Sequence, residues 1–455
     1  MRIALLSVLL CVVGCAGPRV EIPSRAAIVP PERWLTTSAT AMMPGEEEWL
    51  QSFSDPVLSR LVQTALSENL DLSVSAQKIL EARAQFRLAR SQEGVSLAAG
   101  VGGGRERDIN PGFGFAEKQS AGEAELNAAY DVDLFGRLAY ATKAARASVL
   151  ASEAAHETVR IALVSSVVTG YIGLRAQDAR LELLTTTARA REEEWQFAQR
   201  RVRAGYAPSI DAEQAEAAYR AALQLLSPTK LAIARQEHGL SVLLGDIPRA
   251  ITRGPSFLDL QAPAVAVVMP SMLLRRRPDI REAEWKLVTA DRSLDSARAA
   301  FMPSVEISAS GGWVVSTLIE HNPSAVFSAG GSILAPIFES GRLTAQRDAA
   351  VARRDEAAFA YKRAVLGAFR DVEDALSAEQ YYREQENSLD QQAAALSQVF
   401  LRASRRYRAG YSPYLEQIDA ERNLLSAQLS VLQSRLDWLT SLVNLYQAAG
   451  GGAVP

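Results

Sequence analysis

Three acidic residues follow two related turns of the chain at matching distances. Glu416 comes six residues after Gly410, with Asp419 three residues later, and Asp211 comes six residues after Gly205. A spacing of three residues places Glu416 and Asp419 on one face of a helix. Grouped carboxylates repel one another and attract cations, so they suit a site that binds or passes positive charge. Acidic residues also favour helix N-termini through the helix dipole, and both interpretations stay open.

Other side chains with chemical potential lack the spacing of an enzyme or a metal site. The three histidines are scattered, and the two cysteines, Cys11 and Cys15, lie near the N-terminus. Asp371, Glu373 and Asp374 cluster, but they fall in a long helical pattern where a solvated face explains them. The chain has no nucleophile motif and no phosphate loop, and its net charge of −3 provides no basic surface. We therefore expect no enzymatic activity, no cofactor, no metal and no nucleic-acid partner.

The N-terminus has the pattern of a bacterial lipoprotein leader. Arg2 supplies a positive charge, and Ile3 to Val13 is an apolar run too short to span a bilayer. Gly14 directly precedes Cys15, which predicts cleavage before Cys15 and lipidation of that residue. An ordinary secretory signal is the alternative. The first acidic residue after Cys15 is Glu21, so nothing beside the cysteine resembles an inner-membrane retention signal, and the outer membrane is favoured.

Two motifs recur at one offset and reveal a tandem duplication. Arg203-Ala-Gly-Tyr-Ala-Pro208 returns 205 residues later as Arg408-Ala-Gly-Tyr-Ser-Pro413. At the same offset, Gly136-Arg-Leu138 returns as Gly341-Arg-Leu343. Each copy predicts a helix, a strand pair, a very long helix, a break at the glycine turn and a second helix.

The duplication defines the expected organisation of the chain. The predicted segments are a signal peptide at 1–14, a lipidated linker at 15–54, repeat 1 at 55–245, a linker at 246–277, repeat 2 at 278–449 and a tail at 450–455. The predicted elements of the first copy are a helix at 55–92, a strand pair at 95–132, a long helix at 136–204 and a helix ending near 244. The predicted elements of the second copy are a helix at 278–301, strands at 305–337, a long helix at 341–409 and a helix at 413–448.

The long helices carry a seam of residues spaced alternately four and three apart. In the first copy the seam runs from Leu163 to Ala188, and in the second from Ala368 to Phe400. This 3.5-residue period keeps one face against a neighbouring helix, as in a coiled coil. A helix of nearly seventy residues would be about 100 Å long. That length suits a tube across the periplasm better than a compact domain.

The strand pairs predict a membrane sheet that one chain cannot close. Val305 to Trp313 alternates apolar with polar or small residues, and each strand has roughly the ten residues that cross a membrane when tilted. Four strands are too few for a barrel, so oligomerisation is required, and three copies would supply twelve strands. No later segment has about eighteen uninterrupted apolar residues, so we expect no transmembrane helix. Two soluble hairpins that cap a coiled coil are the alternative.

With these features the chain resembles the TolC-like outer-membrane factors, in particular their lipoprotein efflux branch. The residues that carry the resemblance are Asp131-Val-Asp-Leu-Phe-Gly-Arg137, Leu274-Arg-Arg-Arg-Pro-Asp-Ile280 and the two Arg-Ala-Gly-Tyr turns. The resemblance implies a mainly α fold with membrane β structure. Long coiled-coil helices would form an α-barrel, and four strands per chain would contribute to a 12-stranded trimeric β-barrel.

The resemblance also implies partners and site residues. It implies a homotrimer in contact with outer-membrane lipid, a periplasmic adaptor protein and an inner-membrane transporter of the resistance-nodulation-division type. The implied constriction at the periplasmic end is formed by Asp211, Glu416 and Asp419. The implied adaptor contacts are Arg203, Gly205, Tyr206, Arg408, Gly410 and Tyr411. The implied function is a passive exit duct for small molecules; the alternatives are a lipid-anchored periplasmic coiled-coil protein or the exit duct of a protein secretion system.

Overall fold

A computed structural model describes residues 23–36, 44–109, 116–264, 269–317 and 320–452 of the 455-residue chain. The predicted signal peptide and Cys15 lie outside these ranges. The chain forms two compact units. The described parts of unit 1 come from Met1–Ile28, Gln77–Glu153 and Glu282–Arg363, and those of unit 2 from Val29–Ala76, Ala154–Arg281 and Ala364–Pro455. Each unit therefore contains parts of both sequence copies.

The elements follow the predicted order in both copies. The first copy is preceded by α1 (Glu46–Gln51) and contains α2 (Pro56–Glu68), α3 (Leu70–Ser91), β1 (Ser96–Ile109), β2 (Ala116–Val132), α4 (Arg137–Arg203) and α5 (Ser209–Leu243). The second copy is preceded by α6 (Pro270–Arg276) and contains α7 (Pro278–Ala299), β3 (Ser304–Ser316), β4 (Ser324–Leu334), α8 (Arg342–Arg408) and α9 (Tyr414–Ala448). The predicted mainly α fold with two strand pairs is confirmed.

Unit 1 carries a four-stranded antiparallel sheet in the order β1-β2-β3-β4. The central pairing of β2 with β3 joins the two sequence copies, with Ala128 opposite Ala309. The outer strands β1 and β4 each have one partner strand within the described residues. Large apolar side chains on the sheet, such as Val101, Trp313 and Phe327, are exposed. An open sheet with unpaired edges and an exposed apolar surface requires a partner or a membrane to cover it.

A glycine with positive φ marks each passage from strand to long helix, as the shared Gly-Arg-Leu motif predicts. Gly136 has φ +76° and Gly341 has φ +83°, a region that other residues rarely adopt. After Gly136, the Asp133 carboxylate accepts a hydrogen bond from the backbone N–H of Ala139 at 2.7 Å. This bond satisfies one of the free donors at the start of α4.

The two long helices have the same length, 67 residues each. The predicted seam residues of α4 and α8, from Leu163 to Ala188 and from Ala368 to Phe400, are all buried or half-buried. One stretch of α4 is apolar and long enough to cross a bilayer by composition, and most of it is buried. A buried core helix meets the same criterion, so this stretch is weak support for a membrane span.

Two local expectations were wrong. The first helical segment is broken at Asn69, which caps α3 by accepting from Leu72 N–H and donates to the carbonyl of Leu243 at 2.9 Å. The asparagine side chain thereby offers the backbone an alternative to continuing the helix. Pro413, the predicted first residue of the last helix, is instead the N-cap residue of α9, and Pro208 has the equivalent position before α5.

Unit 2 holds the segment between the two copies against α4 through a buried hydrogen-bond chain. The hydroxyl of Tyr171 donates to the carboxylate of Asp55 at 2.7 Å and accepts from the N–H of Gly254 at 2.9 Å. Asp55 also caps α2 through Val57 N–H at 2.8 Å. Burial and the charge of Asp55 raise the pKa of Tyr171, so the hydroxyl stays a donor. A buried network whose members are all satisfied fixes the register of the elements it joins.

Candidate constriction and docking tips

Both glycine turns end their long helices in the same way. Gly205 has φ +75° and Gly410 has φ +81°. In the first turn, Tyr206 N–H donates back to the carbonyl of Arg201 at 2.9 Å, and the second turn repeats this bond at the same length. A hydrogen bond to the carbonyl five residues earlier, after a glycine with positive φ, satisfies one of the free carbonyl acceptors at a helix C-terminus. Among the described residues, no atom beyond the glycine and its chain neighbours lies within 4 Å of where a Cβ would stand at either position, so the backbone conformation rather than close packing requires glycine.

Each turn presents an exposed tyrosine. Tyr206 is 79% exposed and Tyr411 is 82% exposed. The two arginines of the predicted contact set are also exposed but differ in their partners: Arg203 donates to Gln199 of its own helix, whereas Arg408 pairs with Glu194 of α4. Exposed aromatic and arginine side chains are the residue types that anchor protein interfaces.

The two turns lie together in unit 2. Tyr407 and Tyr414 flank the second turn and are buried with Ala198 and Ala215, which come from α4 and α5. Arg201 donates to the carbonyl of Tyr407 at 3.3 Å, and its guanidinium lies 5.1 Å from the centre of the Tyr407 ring. The structure therefore brings the predicted turn residues of both copies into one tip region.

The three predicted acids lie in that region, in two different settings. Asp211 and Glu416 are in the first turns of α5 and α9, as a favourable dipole interaction requires. Asp211 is half-buried, whereas Glu416 and Asp419 are exposed. Burial raises the pKa of Asp211 from its usual range, and the charge of Arg201 partly opposes that shift. Within one chain, the side chains of Glu416 and Asp419 are thus open to solvent.

A buried ion pair behind the tips was missed by the sequence interpretation. Arg191 of α4 and Glu421 of α9 are 3.0 Å apart and are only 5% and 9% exposed. Arg191 also donates to the carbonyl of Ala218 in α5 at 3.1 Å, so one guanidinium joins three helices. Burial raises the pKa of Glu421, and the charge of Arg191 opposes it. The sequence did contain a signal for this pair: the four-three spacing of the α4 seam continues from Ala188 to Arg191, which predicts that Arg191 lies on the buried face of the helix.

The family comparison matches most of the chain. The model of the outer membrane efflux protein family matches residues 61–246 and 269–451. The probable efflux pump outer membrane protein TtgC of Pseudomonas putida is 34% identical over 436 residues, covering 91% of this chain and 87% of that protein. The solvent efflux pump outer membrane protein SrpC of Pseudomonas putida is 33% identical, covering 88% and 86%.

Solved structures share the fold over nearly the full length. The outer-membrane channel OprN superimposes with a TM-score of 0.87 at 26% identity, covering 96% of this chain and 99% of that one. The open state of the MtrE outer membrane channel of Neisseria gonorrhoeae gives a TM-score of 0.83 at 28% identity, covering 96% and 98%. The chain belongs to the outer membrane efflux protein family.

Proposed function

We propose that this chain is the passive exit duct of a tripartite efflux pump, spanning the outer membrane and reaching into the periplasm. The observation that carries the proposal is the combination, in one duplicated chain, of an open four-stranded sheet and two paired helical tips. The sheet supplies the membrane portion and the long helices supply the periplasmic portion. A lipid-anchored coiled coil without membrane strands would leave the sheet unexplained. The relatives named as efflux components argue against a duct for protein secretion.

The duct is a homotrimer. The outer strands β1 and β4 of one chain have unpaired edges in the described residues, and four strands are too few to enclose a pore. Three copies in ring symmetry pair each β4 with the β1 of the next copy and give twelve strands. Their exposed apolar side chains then face outer-membrane lipid.

A lipid on Cys15 anchors the duct to the outer membrane. The support is the leader pattern, together with the position of the first described residues. The carbonyl of Arg25 accepts a hydrogen bond from the Lys362 ammonium at 2.7 Å, which holds the N-terminal segment on the part of α8 that belongs to the sheet-bearing unit. The ten residue-to-residue steps from Cys15 to Arg25 can span about 33 Å when the chain is extended.

The tips form the periplasmic entrance. In the trimer, Asp211, Glu416 and Asp419 form acidic rings that narrow the channel and favour cations. The exposed residues around Gly205 and Gly410, namely Arg203, Tyr206, Arg408 and Tyr411, contact a periplasmic adaptor protein, which in turn binds an inner-membrane transporter.

The cargo is a small organic molecule. The names of the relatives refer to toluene, solvents and antibiotics, and such cargo needs a wide passage rather than a chemical site. The selection of the substrate then falls to the transporter and not to this chain.

Conductance in planar bilayers tests the duct and its constriction together. The mature protein is expected to form small cation-preferring channels, and the double variant Glu416→Ala/Asp419→Ala to form larger ones with weaker cation preference. Asp71→Ala/Glu81→Ala, which removes two exposed acids of α3, is the matched control and should conduct like the original protein. A folded trimer that does not conduct would refute the duct; equal conductance of the tip variant and the original protein would refute the constriction.

A further inference from the structure

One of the three acids at the tips is already paired with a cation from the other side of its turn. The Nε of Arg406, in the last turn of α8, is 3.2 Å from the Glu416 carboxylate in the first turn of α9. Both side chains reach water, with 57% and 43% of their surface exposed. Seen from a few ångströms away, the pair has no net charge.

The equivalent residues of the first copy are arranged differently. Arg201 and Asp211 occupy the positions of Arg406 and Glu416, 205 residues earlier. Arg201 donates instead to the carbonyls of Tyr206 and Tyr407, at 3.4 and 3.3 Å. In the described part of the chain no cation lies within 4 Å of the Asp211 carboxylate. The aspartate side chain is one methylene shorter, which accounts for a carboxylate that stops short of the arginine.

The third acid is only loosely compensated. Asp419 lies 3.9 Å from Arg422 of its own helix, and both side chains are mostly exposed. A contact at that distance between solvated groups is weak and is screened further by salt. Glu416 is therefore the acid whose charge is most fully cancelled by a specific partner.

Stability does not account for the Arg406–Glu416 pair. Exposed ion pairs contribute little to folding, because water screens them and two long side chains must be ordered. The electric field of such charges does matter for passing ions, because at 0.1 M salt it extends over about 10 Å, which is the scale of a narrow pore. A cationic side chain held beside an acidic one therefore changes the net charge that a passing ion encounters in the constriction.

We propose that Arg406 is a selectivity-determining residue of the constriction, which cancels the charge of Glu416 and so lowers the preference of the channel for cations. This inference rests on the proposed function, because it assumes that the tips line the pore. It assigns the remaining negative charge of the second tip to Asp419. The acidic rings are thus weaker than the three carboxylates alone would make them.

The reversal potential across a KCl gradient tests the proposal at about 0.1 M salt. Arg406→Gln leaves the charge of Glu416 uncompensated and is expected to raise the cation-to-anion permeability ratio at least about fivefold, because one unit charge at 4 Å in water attracts a cation by about 1 kcal/mol and also repels the anion. Arg406→Lys retains the cation and should behave like the original protein. The double variant Arg406→Gln/Glu416→Gln removes a neutral pair and should also restore the original ratio.

Two controls separate this proposal from the duct itself. Arg405→Gln makes the same charge change one residue away, on a different face of α8, and should leave the ratio unchanged. Asp419→Asn tests the acidic ring without touching the pair, and its ratio should fall. If Asp419→Asn lowers the ratio while Arg406→Gln matches the original protein, the role of Arg406 is overturned and the constriction stands. If Arg406→Gln does not assemble, the double variant is compared with the single variant Glu416→Gln. Equal permeability ratios in these two variants would show that Arg406 has no effect and would overturn its proposed role.

Discussion

The two copies place a glutamate at the same repeat position and use it in opposite ways. In the second copy, Glu421 is buried and pairs with Arg191 of α4. In the first copy, the side chain of the equivalent Glu216 is 45% exposed and pairs at 3.4 Å with Arg220, four residues along its own helix. One sequence position thus serves a contact between the copies in one case and a solvated helix face in the other.

The same contrast recurs halfway along the hairpins. In the first copy, Gly170 lets α5 approach α4 closely, and Gln236 donates to its carbonyl at 2.9 Å. The equivalent residues of the second copy, Ala375 and Ser441, line a polar cavity of about 470 Å³ together with Arg277. In the first hairpin, side chains of α5 contact α4 directly at Gly170, whereas the second hairpin has a cavity at the equivalent place. Duplication preserved the length of the helices while the contacts between them diverged.

The largest effect is expected at the buried pair. Arg191→Ala leaves Glu421 charged and buried without a partner, which costs about 3–5 kcal/mol of the free energy of unfolding. Glu216→Ala breaks the pair with Arg220 in the first copy, leaves the contacts of Arg220 with Trp195 and Tyr219 in place, and should cost less than about 0.5 kcal/mol. Denaturant unfolding of the purified variants measures both. Equal losses would mean that the two copies do not differ in the way described.

The mid-hairpin contrast predicts an intermediate effect. A Cβ on Gly170 would lie 3.0 Å from the Leu240 side chain, so Gly170→Val overpacks the first hairpin and costs about 1–3 kcal/mol. Ala375→Val places the same extra bulk at the cavity of the second hairpin, where there is room for it. Thermal unfolding should therefore show a lower Tm for the first variant alone. A matching drop in the second would show that the cavity is not available to a larger side chain.

The exposed tyrosines allow a test of whether the tips are equivalent to a partner. Tyr206→Ala and Tyr411→Ala should each weaken binding of the periplasmic adaptor by about tenfold, the effect of losing an aromatic anchor. Phe359→Ala, which removes an exposed aromatic side chain of α8 far along the sequence from both turns, is the control. Surface binding assays with immobilised trimer give the affinities. Unchanged affinity in both tyrosine variants would place the adaptor contact elsewhere.

The smallest effect concerns the pH response of Asp211. Burial raises its pKa above the ordinary value of 3.8, so it takes up a proton at a higher pH than a solvated aspartate. Because the folded form holds the proton more tightly, acidification through this window favours the folded state at this residue. On acidification, the cation preference should begin to fall at a higher pH than a solvated aspartate alone would produce, and Asp211→Asn should remove that early part of the fall. Asp419→Asn, which retains Asp211, should keep it.

The sequence was sufficient for the elements and for the tips, and insufficient for the side-chain pairs. The seam, the strand-to-helix glycines and the repeated turn predicted both 67-residue helices to within a residue or two at each end. The break at Asn69 was missed because the helical period continues across it. The pairing of Arg191 with Glu421 depends on which faces of three helices meet, and that is a tertiary property. Arg406 and Arg201 occupy equivalent positions, yet Arg406 pairs with Glu416 whereas Arg201 donates to the carbonyls of Tyr206 and Tyr407.

The equal lengths of the paired helices have a consequence for engineering. α4 and α8 have 67 residues each, and α5 and α9 have 35 residues each. One added heptad lengthens a helix by about 10.5 Å. If the heptad were added to the hairpin of one copy only, it would separate Tyr407 from Arg201, and one tip would extend beyond the other. Added to all four helices at repeat-equivalent positions, it would move both tips together, so the reach of this protein can be redesigned in whole heptads but only in matched sets of four.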